Sequence, residues 1–288
     1  MNAKELRWVY LLGLALVWGS SYILIKKGLV GLTAVQLGSL RIIFASMFLA
    51  VFGFKSLSKI PKASWKHIII TAFIGTFFPA YLFAIAETEI DSSITGVLNS
   101  AMPLITLSIG VIGFGLGVQR RQIWGIVFGL IGSVLLVYSG MSSHPGQNYF
   151  YACYVVMATF CYALNVNLIK HYLSNVPSLS ITTGNFVVLI IPALLILFST
   201  NFAEAVLIPQ VQYSMAFIAI LGIVGTGIAN ILFFKLIQIS TPVFASSVTY
   251  LIPIVACMWG FLDGEVFSPN QLIGAAVVLI GVFLSAKR

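Results

Sequence analysis

Long runs without a charged residue are the feature that most restricts the fold of this 288-residue chain. Four runs exceed the roughly 20 apolar residues that a membrane-spanning helix needs. They are Ser92–Gln119, Gln122–Ile169, Ala205–Phe234 and Leu236–Leu262. Only 8% of all residues are charged and 60% are hydrophobic, whereas a soluble domain carries roughly 25% charged residues. Because so few charges could not cover a soluble core of this size, we predict a polytopic membrane protein.

Turn residues and charges divide the chain into ten apolar segments of about 20 residues each. Numbered in chain order, they are Trp8–Ile25, Ala34–Phe54, His67–Ala86, Ser92–Leu116, Gln122–Ser139, Tyr149–Ile169, Leu179–Ser199, Tyr213–Phe234, Pro242–Leu262 and Gln271–Ala286. These runs are continuously apolar rather than alternating, which excludes a transmembrane barrel. The first segment ends in Lys26-Lys27 without a small-residue cleavage site, so we expect an uncleaved helix rather than a signal peptide. The predicted fold is therefore an all-α membrane protein.

The two halves of the chain repeat each other. Tyr22-Ile-Leu-Ile-Lys26 pairs with Val166-Asn-Leu-Ile-Lys170, and Pro103 pairs with Pro253. Gln122-Ile-Trp-Gly125 pairs with Gln271-Leu-Ile-Gly274 in the same order. Each repeat, residues 1–141 and 142–288, holds five segments, so the second repeat enters the membrane from the opposite side. Inverted repeats are typical of secondary transporters, whose binding sites lie near the midplane between the repeats.

Several motifs resemble the EamA-type family of the drug/metabolite transporter superfamily. They are Val17-Trp-Gly-Ser-Ser-Tyr22, Leu40-Arg-Ile-Ile-Phe-Ala45, the Pro103 helix, and Gly264-Glu265 followed by Gln271-Leu-Ile-Gly274. The resemblance implies a ten-helix transporter, often an exporter of amino acids or other small metabolites. It also implies a cavity lined by the first, third and fourth helices of each repeat. The first repeat departs from the pattern, since Gly115-Leu116 stands where the second repeat has Gly264-Glu265.

Polar and aromatic side chains form stripes on the segments that the resemblance assigns to the cavity. Their spacing of three or four residues places them on single helix faces. The candidate substrate-binding residues are Trp18, Ser21, Tyr22, Tyr81, Thr95, Asn99, Tyr162, Asn165, Asn230, Thr249 and Tyr250. The alternative role for the hydroxyl and amide groups is to join helices, at typically below about 1 kcal/mol each. Both roles stay open at this point.

Four further residues stand out within the segments. Pro103 and Pro253 interrupt helices at matching repeat positions, where a break indicates either a hinge beside the binding site or a static kink. Lys26 and Arg41 are cations that the topology does not explain. They either snorkel outward, toward Glu87, Glu89 or Asp91, or select solutes that carry a carboxylate.

The sequence favours a secondary transporter of small organic solutes in the cell (inner) membrane. It contains no P-loop and no paired catalytic groups, so we expect neither an enzyme nor a cofactor. Its three cysteines lack metal-ligand spacing, so no metal site is expected. The expected partners are a solute and the lipid bilayer, not nucleic acid, and the pairs Gly113-x-x-x-Gly117 and Gly125-x-x-x-Gly129 leave a homodimer open. The alternative function is a sensor or assembly scaffold on the same fold.

The basic residues predict that both termini lie in the cytoplasm. Twelve of the 15 fall on the side of the N-terminus, and only Lys26 and Lys27 fall on the other. Because Lys and Arg accumulate in cytoplasmic loops, cytoplasmic reporter activity is expected from fusions at both ends. Two periplasmic readings would contradict the predicted topology.

Overall fold

The computed structural model describes residues 3–115, 119–143, 146–265 and 268–286, and every regular element in these ranges is helical. The α-helices are α1 (Ala3–Gly19), α2 (Ser21–Leu29), α3 (Ala34–Gly53), α4 (Trp65–Ala72), α5 (Phe78–Ala86), α6 (Ser92–Asn99), α7 (Met102–Phe114), α8 (Arg120–Ser143), α9 (Ala152–Tyr172), α10 (Ser178–Phe198), α11 (Phe202–Ala205), α12 (Pro209–Ile220), α13 (Ala229–Ile239), α14 (Pro242–Ser246), α15 (Ile252–Leu262) and α16 (Pro269–Ala286). Short 3-10 helices cover Phe54–Lys59, Lys62–Ser64, Tyr149–Tyr151 and Ser247–Tyr250.

Each of the ten predicted segments contains helix within the described residues. Seven stretches there are long and apolar enough to cross a bilayer: Glu5–Leu29, Ala34–Lys59, Lys62–Ala86, Ile94–Gly113, Tyr149–Tyr172, Ser178–Phe198 and Pro209–Ile239. The prediction of a helical, multi-pass membrane protein is therefore confirmed. Ten crossings in two inverted repeats remain a prediction.

The packing of the helices follows the repeats. When each segment is replaced by its counterpart in the other repeat, every pair of packed segments given below becomes another such pair or itself. Segment 2 packs on segment 7, segment 4 on segment 9, and segment 5 on segment 10. Segment 3 packs on segment 6, and its counterpart, segment 8, packs on segment 1. This reciprocal pairing places segments 1, 3, 4, 6, 8 and 9 around the middle of the bundle, where the two repeats meet.

Segments 4 and 9 are broken at matching positions. In segment 4 the helix α6 ends at Asn99, and α7 begins at Met102 with Pro103 in its first turn. In segment 9 a 3-10 turn precedes α15, which begins at Ile252 with Pro253 in its first turn. A proline fits the first turn of a helix because its missing N–H would have no partner there. Each proline therefore starts a second half-helix at the centre of its segment.

Segments 3 and 8 carry a different irregularity, also at matching positions. Their backbones widen into π-helical stretches over Phe73–Phe77 and Leu221–Ile228. Both stretches contain a Gly-Thr pair, Gly75-Thr76 and Gly225-Thr226. Short π-helical stretches inside α-helices often mark functional sites. The irregular helices are thus the third and fourth segments of each repeat, and the irregularities lie at matching positions in the two repeats.

Lys170 closes the C-terminal end of α13. Its ammonium donates hydrogen bonds to the carbonyls of Ile237 and Gln238, both at 3.2 Å, and of Ser240 at 2.7 Å. The last carbonyls of a helix lack partners within the helix, and a cation there also offsets the helix dipole. One side chain from segment 6 thereby ties down the end of segment 8.

Replacing Lys170 is expected to destabilise the bundle. The variant Lys170→Met removes charge-assisted hydrogen bonds, each worth about 1.5–3 kcal/mol, so the thermal unfolding midpoint in detergent should fall by several degrees. The matched control is Lys66→Met, because Lys66 is an exposed lysine. Equal midpoints for the two variants would contradict a capping role.

Candidate functional site

A cavity lies in the middle of the bundle, between the two repeats. Its empty space measures about 730 Å³, part of which is open to solvent. Segments 1, 2, 3, 4, 6, 8 and 9 all contribute to the wall. The lining residues are Trp18, Ser21, Tyr22, Ile25, Arg41, Gly75, Thr76, Phe83, Asn99, Met102, Tyr162, Asn165, Thr226, Asn230, Phe233, Phe234, Thr249 and Ile252.

Two aromatic pairs form symmetry-related walls. Trp18 meets Phe233 edge to face with ring centroids 4.8 Å apart, and Tyr162 stacks on Phe83 at 5.7 Å. Trp18 and Tyr162 occupy matching repeat positions, as do Phe83 and Phe233. The indole of Trp18 also donates a hydrogen bond to the Gly225 carbonyl at 2.9 Å, within the π-helical stretch. These rings give the cavity rigid apolar faces beside its polar groups.

Asn99 joins three segments through its side-chain amide. Its Nδ2 donates to the Tyr22 hydroxyl at 2.8 Å, and its Oδ1 accepts from the Thr159 hydroxyl at 3.1 Å. Both amide ends are therefore used inside the protein, which is the usual state of a buried polar group. Asn99 thus acts as a link between helices while it also borders the cavity.

Asn165 and Thr76 differ from Asn99, because each has a side-chain oxygen that forms no hydrogen bond within the described protein. The oxygen of each side chain is buried and has no hydrogen-bond partner among the described residues. Asn165 also packs so closely on the π-helical stretch that a Cβ added at Gly75 would clash with its side-chain amide. Glycine is therefore needed there. Two unpaired oxygen atoms in a cavity wall are acceptors available to a bound solute or to water.

Arg41 is a buried cation in the cavity wall. Its side chain is 7% exposed, and its Nε donates to the Thr226 hydroxyl at 2.7 Å. Thr226 in turn donates to the Leu221 carbonyl inside the π-helical stretch. The ion pairs that the described residues show at Lys26 and Lys27 do not involve Arg41, which has no carboxylate partner at salt-bridge distance there. The lining residues include no acid. Among these described lining residues, Arg41 is therefore the one charged side chain.

Lys26 lies outside the cavity lining. Its ammonium forms ion pairs with Asp263 and Glu265, both at 2.8 Å, and Lys27 pairs with Asp263. The Ser92 hydroxyl also donates to Glu265, at 2.7 Å. Segments 1 and 4 are thereby joined to the turn that follows segment 9. Hydrogen bonds from the two lysines lower the pKa of Asp263 below its ordinary value. Sequence reasoning considered Glu87, Glu89 and Asp91 as partners of Lys26, whereas the ion pairs are made with the turn after segment 9.

Of the other candidates, Tyr81 and Thr95 do not line the cavity. The Tyr81 hydroxyl lies 2.9 Å from that of Ser39, and its ring packs over Gly38 of segment 2. Thr95 is fully buried and donates to the Asp91 carbonyl. The side chain of Tyr250 lies outside the described part of the molecule. Pro103 and Pro253 start the half-helices, and their neighbours Met102 and Ile252 reach the cavity instead.

Nine lining residues were not among the candidates, namely Ile25, Gly75, Thr76, Phe83, Met102, Thr226, Phe233, Phe234 and Ile252. Most are apolar or small, so a search for polar stripes passes over them. Thr76 was detectable, because Gly75-Thr76 and Gly225-Thr226 match across the repeats. The aromatic pair Phe83 and Phe233 matches in the same way.

Comparison with known proteins gives a consistent match over the whole chain. The model of the EamA-like transporter family matches residues 7–138 and 149–287. The chain is 25% identical to "Uncharacterized inner membrane transporter YedA" of Escherichia coli K12, covering 95% of this chain and 88% of that protein. It is 23% identical to "Probable amino-acid metabolite efflux pump" of Salmonella typhimurium, covering 93% and 91%. A solved structure with the name "Crystal structure of protein" has a TM-score of 0.69 at 16% identity, covering 96% and 95%, which shows a shared fold.

The cavity predicts different accessibility for two residues on one face of α6. In a background without native cysteines, Asn99→Cys should react with a small aqueous thiol reagent, because Asn99 borders the cavity. Thr95→Cys is the control, because Thr95 is one helical turn away and fully buried. We expect at least about tenfold faster labelling at position 99, a difference equivalent to 1.4 kcal/mol. Equal rates would contradict an aqueous cavity at this position.

Proposed function

The chain belongs to the EamA-like transporter family, and from this premise we propose that it exports amino acids or related carboxylate-bearing solutes by alternating access. The family and the relatives named above are all described as transporters or efflux pumps. The relative from Salmonella typhimurium is named as an efflux pump for amino-acid metabolites. The finer proposal on the solute rests on the cavity of this chain.

The single observation that carries the proposal is Arg41. A buried cation in a membrane-spanning helix costs at least about 2.5 kcal/mol on insertion scales and normally pairs with an acid. Arg41 has a hydroxyl partner but no carboxylate partner among the described residues. A guanidinium presents several N–H groups in a planar fork that suits a carboxylate. A solute carboxylate in the cavity would therefore supply the missing counter-ion.

The rest of the cavity suits the other parts of an amino acid. The half-helices α7 and α15 begin at the cavity, where Met102 and Ile252 line the wall. The positive ends of their dipoles favour an anionic group. The unpaired oxygens of Thr76 and Asn165 can accept hydrogen bonds from an ammonium group. The aromatic pairs provide apolar surface for a side chain.

The proposed movement uses the repeat structure. We infer ten crossings in two inverted repeats, residues 1–141 and 142–288, that rock against each other around the cavity. The breaks before Pro103 and Pro253 provide hinges at matching positions. In the proposed cycle the ion pairs of Lys26 hold one end of the bundle closed in this conformation. Their opening would expose the cavity at that end.

A first experiment tests transport itself. Solute efflux is screened in a deletion strain with a panel of amino acids and their metabolites, and positive solutes are then followed by uptake into proteoliposomes that contain the purified chain. We expect at least one carboxylate-bearing solute to be transported. If the protein is present in the membrane and none of the tested solutes is transported, the result would favour a sensor or scaffold.

The role of Arg41 predicts selectivity between matched solutes. Arg41→Gln should weaken the apparent affinity for a transported amino acid by about 30-fold or more, because loss of a buried charge partner costs at least about 2 kcal/mol. The affinity for the uncharged amide or ester of the same solute should change much less. The comparison variant is Lys26→Gln, whose ion pairs lie outside the cavity lining, so it should affect both solutes equally. Equal losses for Arg41→Gln would leave Arg41 a structural role.

A further inference from the structure

Glu87 is a buried acid that the proposed solute site does not use. It follows Ala86, the last residue of the third segment, and is 9% exposed. Neither of its carboxylate oxygens has a hydrogen-bond partner among the described residues. An ionised carboxylate without partners is too costly in such a place, and the usual outcome is that the group takes up a proton. In this conformation Glu87 is therefore a neutral carboxylic acid.

The charged and titratable groups facing Glu87 come from four parts of the bundle. They are Tyr22 and Lys26 of segment 1, Arg41 of segment 2, Glu265 after segment 9, and Glu89 and Asp91 of its own turn. Burial raises the pKa of Glu87 well above its ordinary value, and the negative charge of Glu265 raises it further. Arg41 and Lys26 oppose this effect.

Both neighbouring cations have other partners. Lys26 is held by Asp263 and Glu265, and Arg41 donates to Thr226. Neither donates a hydrogen bond to the Glu87 carboxylate while the Lys26 ion pairs are intact. The opening proposed above would break these ion pairs, release Lys26, move Glu265 away with its turn and admit water. Each of these changes favours the ionised form of Glu87.

Glu87 also lies between two spaces. Tyr22 and Arg41, which face it, line the central cavity. Glu87 itself lines a polar recess together with Lys26, Glu89, Asp91, Ser92 and Gln147. This recess adjoins the ion pairs that close this end of the bundle. Glu87 therefore lies between the polar recess, which adjoins the Lys26 ion pairs, and the residues Tyr22 and Arg41 of the solute site.

We propose that Glu87 is a proton-binding site that couples opening of this end of the bundle to proton exchange with the adjacent aqueous phase. The O–H bond of the carboxylic acid breaks on opening, the proton passes to water to form hydronium, and a carboxylate remains beside the released Lys26. Closure reverses these steps. Low pH therefore stabilises the closed conformation, because the neutral acid form of Glu87 is favoured there. High pH stabilises the open conformation, because the carboxylate form is favoured there. The coupling, though not the proton site itself, rests on the proposed alternating access.

Infrared difference spectroscopy of the full chain in lipid vesicles tests the site without any solute. The wild type should show the carbonyl-stretch band of a protonated carboxylic acid that persists above pH 4.3, the approximate pKa of a free glutamate, and disappears at higher pH. Glu87→Gln should remove this band, whereas Glu87→Asp should retain a titrating band. Glu89→Gln is the matched control, because it changes a less buried acid of the same turn, and should leave the band in place. An unchanged band in Glu87→Gln would overturn the proposal.

A second measurement tests the coupling. In the background without native cysteines, the labelling rate of Asn99→Cys by a small aqueous thiol reagent is followed over the same pH range, corrected for the ionisation of a free thiol. The corrected rate should rise several-fold with pH, and Glu87→Gln should abolish this dependence. A titrating band with pH-independent labelling would overturn the coupling. Absence of solute transport would refute the proposed function but would not affect the infrared result.

Discussion

The structure depends on one constraint: lipid offers no partner to a polar group, so every buried polar side chain must find one inside the bundle. Most do so locally, as Ser46 does with the Ile42 carbonyl, or across helices, as Asn99 does with Tyr22. Arg41 is the exception that matters most, because a buried cation has only a threonine hydroxyl as its hydrogen-bond acceptor at Nε. Arg41 therefore lacks a counter-ion among the described residues, and it lies in the cavity wall, where a bound solute could supply one. The same constraint favours the neutral form of Glu87, a buried acid whose carboxylate oxygens have no hydrogen-bond partner among the described residues.

The cavity exists because four helices depart from regular geometry where the repeats meet. Segments 4 and 9 break before Pro103 and Pro253, and segments 3 and 8 widen at Gly75 and Gly225. Irregular backbone inside a membrane is tolerated where it is buried in protein or lines a water-filled space. The departures therefore come in matching pairs around one site.

The two repeats are not equivalent, and the lysines at matching positions show this most clearly. Lys26 pairs with the acids of the turn after segment 9, whereas Lys170 donates to carbonyls at the end of α13. An ion pair between separate segments can break and re-form as they move, while a helix cap stays within one packed unit. The acids needed for the first arrangement, Asp263 and Glu265, have no equivalents in the sequence of the first repeat, where Phe114 and Leu116 stand at the matching positions. The two matching lysines therefore make different kinds of interaction in the two repeats.

The sequence by itself determined the class of the protein, its repeats and most of the polar residues of the cavity. Charge-free runs demand spanning helices, and a spacing of three or four residues puts Trp18, Ser21 and Tyr22 on one helix face. It could not separate Thr95 from Asn99, since both lie on one stripe and only the packing of α6 against its neighbours decides which side chain meets the cavity. Nor could it choose between partners for Lys26, because the turn after segment 9 is brought to segment 1 by contacts distant in sequence. Helical periodicity is a local property, whereas the pairing of charges and the position of a cavity depend on how segments far apart in the chain pack together.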